Sequence, residues 1–207
     1  MVTKKRGAQP SPNWDELYTS IAESTDVSAV RIRILVLGPN LDGDEPGSEL
    51  RKHIIEKCNE AQFTVVLTEY SQMQELFEKL WGPVYDLCKM ELWLVNAKDK
   101  NTGHNIIDGI VILPNSAGSF IELGMFVMEE EIHSKMLVLF NKDHEETITD
   151  SFVGKGAKMA FDNGRRAITK LMDYQDLDST WSEVSDFLEW IRSNKKWHTL
   201  RRTKSHG

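Results

Sequence analysis

The sequence predicts an α/β fold, an open and mainly parallel sheet of about five strands flanked by helices, and three observations carry that prediction. Short apolar, β-branched runs alternate with stretches of helical periodicity, which is the order that right-handed crossovers produce. The runs end as continuous apolar stretches, as strands covered on both faces require. The first of them opens into a loop, Pro39 to Gly47, made almost wholly of turn-forming residues that cannot continue a strand or a helix.

Taken in order, residues 1 to about 13 form a polar leader with Pro10 and Pro12, and Asn13 or Asp15 caps a short helix with Trp14, Leu17, Tyr18 and Ile21 on one side. Val30 to Gly38 is the first core strand. A helix of about three turns follows from Ser48, with Leu50, Ile54, Ile55 and Cys58 at helical spacing. Phe63 to Leu67 is a second strand, closed by the polar Thr68-Glu69-Tyr70-Ser71. From Gln72 to about Ala97 the apolar residues keep a helical period interrupted at Gly82-Pro83, so two helices meet there. Ile110 to Leu113 is a third strand, Ser119 to about His133 a helix, and Met136 to Phe140 a fourth strand. The pattern beyond Asn141 is weaker until an amphipathic helix near Ser179 to Ser193. The chain thus divides into a leader with a short helix (1–24), an α/β domain (25–195) and a basic tail (196–207).

At 207 residues and 40% hydrophobic content the chain fills one core. Its net charge of -7 excludes a protein that coats nucleic acid or an anionic membrane with its whole surface. The end differs: from Ile191 onward stand Arg192, Lys195, Lys196, Arg201, Arg202 and Lys204 and no acid. Two readings fit that tail, a solvated end or a contact for a nucleic-acid or protein partner. Cys58 and Cys88 read as reduced core residues. No secretion signal is recognisable, and no segment approaches the ~20 apolar residues of a membrane span. A cytoplasmic protein that does not engage membranes is expected.

In an open parallel sheet the ligand crevice lies beyond the carboxyl ends of the strands. Among the loops there, Pro114-Asn115-Ser116-Ala117-Gly118-Ser119 is the most informative. Gly118 is expected to bring the backbone close to a ligand in an unusual dihedral, and Ser119 to cap the next helix, whose free amides suit a phosphate or carboxylate. Glu122 either closes a Ser-x-x-Glu capping box with Ser119 or points into the crevice. Its neighbours Phe120, Ile121, Leu123, Met125 and Phe126 are apolar, which favours a chemical reason for the charge. His53, His104, His133, His144, His198 and His206 lack metal-ligand spacing, and Gly154-Lys155-Gly156 lacks the glycine and hydroxyl of a P-loop, so neither metal nor cofactor is expected.

The order Gly38-Pro39, Ser48-Leu50-Arg51, Asp108 and Ser116-Ala117-Gly118-Ser119-Phe120-Ile121-Glu122-Leu123-Gly124, with the later Asp150 to Gly156 stretch, resembles the nucleoside deoxyribosyltransferase-like superfamily. Within it, the likeness is greatest to retron-associated effector proteins. The resemblance spans about residues 30–175 and implies a Rossmann-like domain acting on a nucleoside or nucleotide. It implies that Glu122 attacks the anomeric carbon and that Asp108 lies near the sugar and leaving base. Ser116 and Ser119 would hold sugar hydroxyls or a phosphate, with Gly38, Pro39, Asn40 and Asn115 around them. Arg51 is either a phosphate ligand or a surface arginine, and Glu69 either a base contact or a solvated acid. Where transferases carry an acidic residue this chain has Asn115-Ser116-Ala117-Gly118, which favours hydrolysis or ligand sensing over transfer.

Two functions follow. One is an N-glycosidase of nucleoside monophosphates or NAD, deployed as a toxic effector in anti-phage defence; the other is a domain that senses a nucleotide with the same pocket. An oligomer is compatible with either.

Overall fold

The computed structural model describes residues 31–81, 87–99, 103–145 and 168–204. The leader with its helix around Trp14, the Gly82-Pro83 break and the Asp150 to Gly156 stretch lie outside the described residues.

Five parallel strands form one sheet in the order β2-β1-β3-β4-β5, with β1 at Arg33–Leu37, β2 at Thr64–Val66, β3 at Gly109–Ile112, β4 at Met136–Asn141 and β5 at Ile168–Met172. The three central strands are buried on both parities because helices cover both faces. Ile34, Val36, Val111, Leu113, Leu137 and Leu139 face a layer built from α1 (Pro46–Glu60) and α6 (Leu177–Lys204). Leu35, Leu37, Ile110, Ile112, Val138 and Phe140 face the opposite layer, built from α3 (Leu87–Asn96), α4 (Ala117–Val127) and the short α5 (Glu130–His133). A further helix, α2 (Ser71–Trp81), follows β2.

Several boundaries depart from the periodic reading for local reasons. Helix α1 begins at Pro46 rather than Ser48, since proline at a first helical position is preorganised and lacks only an amide that would be unbonded there. It ends in a Schellman motif: the Phe63 amide donates to the Cys58 carbonyl and the Gln62 amide to Asn59, with Gln62 at φ 63° in the position glycine usually takes. The expected helix from Ser119 to His133 is two helices, α4 and α5, and His133 donates from Nε2 to the Val127 carbonyl at 3.0 Å across their junction. The amphipathic helix expected to end near Ser193 runs on as α6 to Lys204, and Lys196, expected to open a tail, is buried within it. Among the described residues no helix is long and apolar enough to cross a membrane.

This topology selects one crevice. The chain leaves β1 through α1 on one face and β3 through α4 on the other, so these adjacent strands form the topological switch point, beyond whose carboxyl ends open parallel sheets place their ligand crevice.

Candidate active site

Helix α4 is set on that cleft by a self-contained turn. Ser116 is the N-cap; its hydroxyl accepts from the Ser119 amide at 3.2 Å, while the Ser119 hydroxyl accepts from the amides of Asn115 at 3.0 Å and Ser116 at 2.9 Å. The cap therefore lies three residues before the position the Ser-x-x-Glu pattern indicates, and Glu122 plays no part in it. Pro114 and Asn115 keep the chain extended past β3, which delays the helix start to Ala117. Gly118 is an ordinary helical residue, not among those with positive φ, and a Cβ there meets only the Ser116 hydroxyl oxygen at 4.0 Å. The expected strain is at Gly38 instead, where a Cβ would stand 3.1 Å from the Leu113 Cβ.

One and a half turns into α4, the Glu122 side chain lies in the field of Arg51 and Glu69. Its Oε2 is buried and has no hydrogen-bond partner. Burial pushes the carboxyl up to about 7, Arg51 opposes that, and Glu69 adds to it. A second carboxylate joins it. Glu91, on the buried side of α3, accepts from the Thr68 hydroxyl at 2.5 Å through Oε1 and leaves Oε2 buried without a partner. Its pKa is pushed up to about 8 by burial and by the charge of Glu122. Neither Glu91 nor Thr68 stands out in the sequence, because the helical period of α3 is carried by its apolar residues. Glu91 nevertheless shares the 87, 91, 94, 95 stripe with Leu87, Leu94 and Val95, and a carboxylate on such a stripe is a signal.

Arg51 is no surface arginine. It is 3% exposed, and its guanidinium donates to the carbonyls of Val36 at 2.8 Å and Pro39 at 2.9 Å and pairs with Glu69 at 2.6 Å. That binds the end of β1 to the end of β2 and leaves Arg51 a tether rather than an open phosphate ligand. Asn40 turns the same loop, its side chain accepting from the Asp42 amide at 3.2 Å. Asn115 packs beneath the loop: a Cβ on Gly47 would stand 3.0 Å from both its Nδ2 and the Pro39 ring. The Asn115 Oδ1 is buried without a partner. Ser119 is buried and its hydroxyl is committed to the turn, whereas Ala117 and Gly118 are exposed at the first turn of α4.

Asp108 is not part of this assembly. It precedes β3, so it stands at the amino end of the sheet, a strand of roughly 13 Å away from the crevice. Its carboxylate accepts from the Arg33 amide at 2.9 Å and pairs with Lys195 of α6 at 2.7 Å. A residue immediately before a parallel strand belongs to the end opposite the crevice, which is why Asp108 cannot meet Glu122.

Among the described residues no group of His, Cys, Asp and Glu is arranged to hold a metal ion. What the crevice holds is a pair of buried carboxyls with unoccupied oxygens, beside the exposed start of a helix. No curated protein matches the chain. A family model described as STM3845 retron effector protein matches residues 48–206, a span that runs from α1 through the crevice to the end of α6. The chain therefore belongs to the STM3845 retron effector family.

Proposed function

We propose that the crevice cleaves the N-glycosidic bond of a nucleoside monophosphate or of NAD, with Glu122 as nucleophile and Glu91 as proton donor. The observation that carries this is the buried, unpartnered Glu122 Oε2 beside a second carboxyl of higher pKa. Two acids whose environments separate them divide acid and base roles. Near neutrality Glu91 keeps its proton while a substantial share of Glu122 is ionised.

In the first step a Glu122 carboxylate oxygen bonds to C1′ as the C1′–N bond breaks. The departing base takes the bonding electrons and, from a nucleoside monophosphate, the Glu91 proton. Nicotinamide, cationic in NAD, leaves neutral without it, and the Glu91 proton passes to solvent. In both cases the oxocarbenium-like charge is stabilised by the carboxylate. In the second, Glu91, now ionised, takes a proton from water as the hydroxide oxygen bonds to C1′ and releases Glu122. Sugar and base balance without cofactor or metal. Exposed amides at the first turn of α4 suit the substrate phosphate, and the loop of Gly38, Pro39 and Asn40, with Asn115 packed beneath it, stands at the same end of the sheet. Such chemistry is the one implied by the likeness to the nucleoside deoxyribosyltransferase-like superfamily. Membership of a retron effector family supports a role in anti-phage defence, which hydrolysis of a central nucleotide would serve as a toxic act.

Incubating the protein with nucleosides, nucleoside monophosphates and NAD and resolving free base by chromatography tests the reading. Base release that disappears in Glu122→Gln supports it. Binding without release, unchanged in Glu122→Gln, would make the crevice a nucleotide sensor.

A further inference from the structure

At the amino end of the sheet, opposite the crevice, lies a cavity of about 550 Å3, within the range of small-molecule sites. Three segments far apart in sequence build it: Lys98 with residues 103–108 between α3 and β3, the junction of α5 and β4, and the middle of α6. Its charged lining is Lys98, Lys135 and Lys195 against Asp108 and Glu131, a local excess of cations on a chain of net charge -7. Asp108 is already matched by Lys195 and the Arg33 amide, so in the remaining space Lys98 and Lys135 stand against Glu131, an excess of one cation. The polar lining includes the amides of Asn105 and Asn194. Trp190 stands at its wall, 45% exposed, with Phe187 stacked beside it at 6.3 Å between centroids and 25° between planes.

We infer that this cavity is a second ligand site, separate from the crevice, for a phosphorylated heteroaromatic molecule of mononucleotide size. Cations meet the phosphate, side-chain amides meet hydroxyl or ring edges, and an indole supported on one side offers a face for a planar ring. A lipid-like ligand would find too little apolar wall. Lys135 also fixes the site to the scaffold, donating from Nζ to the carbonyls of Val95 and Ile107, at the end of α3 and before β3.

The inference does not depend on turnover, and its test uses AMP and its photoreactive form, 8-azido-AMP, on the full chain. Irradiation followed by peptide mapping is expected to place adducts within residues 98–105 or 187–195, suppressed by excess AMP. Adducts confined to residues 38–51 and 114–122, or none, overturn it. Calorimetry adds a second reading: Lys98→Glu and Trp190→Ala, at exposed positions, should each weaken AMP binding roughly tenfold or more, and adenosine should bind less tightly than AMP. Wild-type AMP affinity in both variants overturns it as well. Release of free base in parallel reports on the crevice, so loss of one function leaves the other readable.

Discussion

The two ends of the sheet both hold buried charge, and they treat it in opposite ways. At the amino end the most buried charges are matched: Asp108 by Lys195 and a backbone amide, Lys135 by two carbonyls. At the carboxyl end Glu91 and Glu122 each keep one buried oxygen unpartnered, and both carboxyls are pushed toward neutrality. An unpaired buried carboxylate is costly, so folds retain one where it has chemistry to perform. The contrast separates acids that hold the molecule together from acids available to react.

The widest separation is expected from Glu122→Gln. If the carboxyl end is the reactive one, this change lowers base release by roughly a thousandfold or more while the Tm measured by calorimetry does not fall. Equal loss of both would put Glu122 among the structural charges.

Glu91→Gln should follow, with a loss of about 10²- to 10⁴-fold, the usual share of a general acid. The pH profile makes the assignment sharper. Glu122 must lose its proton, so kcat/KM rises through about 7; Glu91 must keep its own, so it falls through about 8. The descending limb should vanish in Glu91→Gln. Stability carries the same signature with the opposite sign from a salt-bridged acid. Both folded pKa values lie above the unfolded ones, so these groups contribute nothing below about pH 4 and increasingly destabilise the fold as pH rises through 7 to 8. Thermal melts at pH 5 and pH 9 should therefore differ less in either glutamine variant than in the wild type.

The amino end is expected to respond in reverse. Asp108→Asn leaves Lys195 without its counter-charge and should cost roughly 3 kcal/mol, lowering Tm by about 6–12 °C at this chain length, with base release changed less than threefold. A catalytic collapse at constant Tm would return Asp108 to the active site. Smallest of all, Gly118→Ala should stabilise the fold by roughly 0.5 kcal/mol or less, and raise Tm slightly with it, because the position is helical and open. A fall in Tm would show that the turn needs glycine after all.

The first four strands in sequence are legible because Ile34 to Leu37, Val65, Val66, Ile110 to Ile112 and Met136 to Phe140 leave no other use for continuous apolar runs. The fifth, Ile168–Met172, is an edge strand whose residues Lys170 and Thr169 dilute the pattern; it is named by its pairing with β4 rather than by composition. In the crevice, Glu122 draws notice because its neighbours are apolar. Glu91 escapes notice because helical periodicity counts the residues that fit it and passes over the one that does not. Ser116 and Ser119 are both present in the motif, but which of them caps the helix depends on how far Pro114 carries the extended chain, and spacing alone does not say. Arg51 likewise becomes a tether only once β1 and β2 are neighbours.

The turn before α4 has an evolutionary consequence. Its hydrogen bonds run among Asn115, Ser116 and Ser119 and bypass Ala117 and Gly118, which stand exposed at the mouth of the crevice. Substitution at those two positions thus leaves the hydrogen bonds of the turn in place. On the proposed function, selection can retune what enters the crevice in single steps without dismantling the turn that holds its catalytic helix.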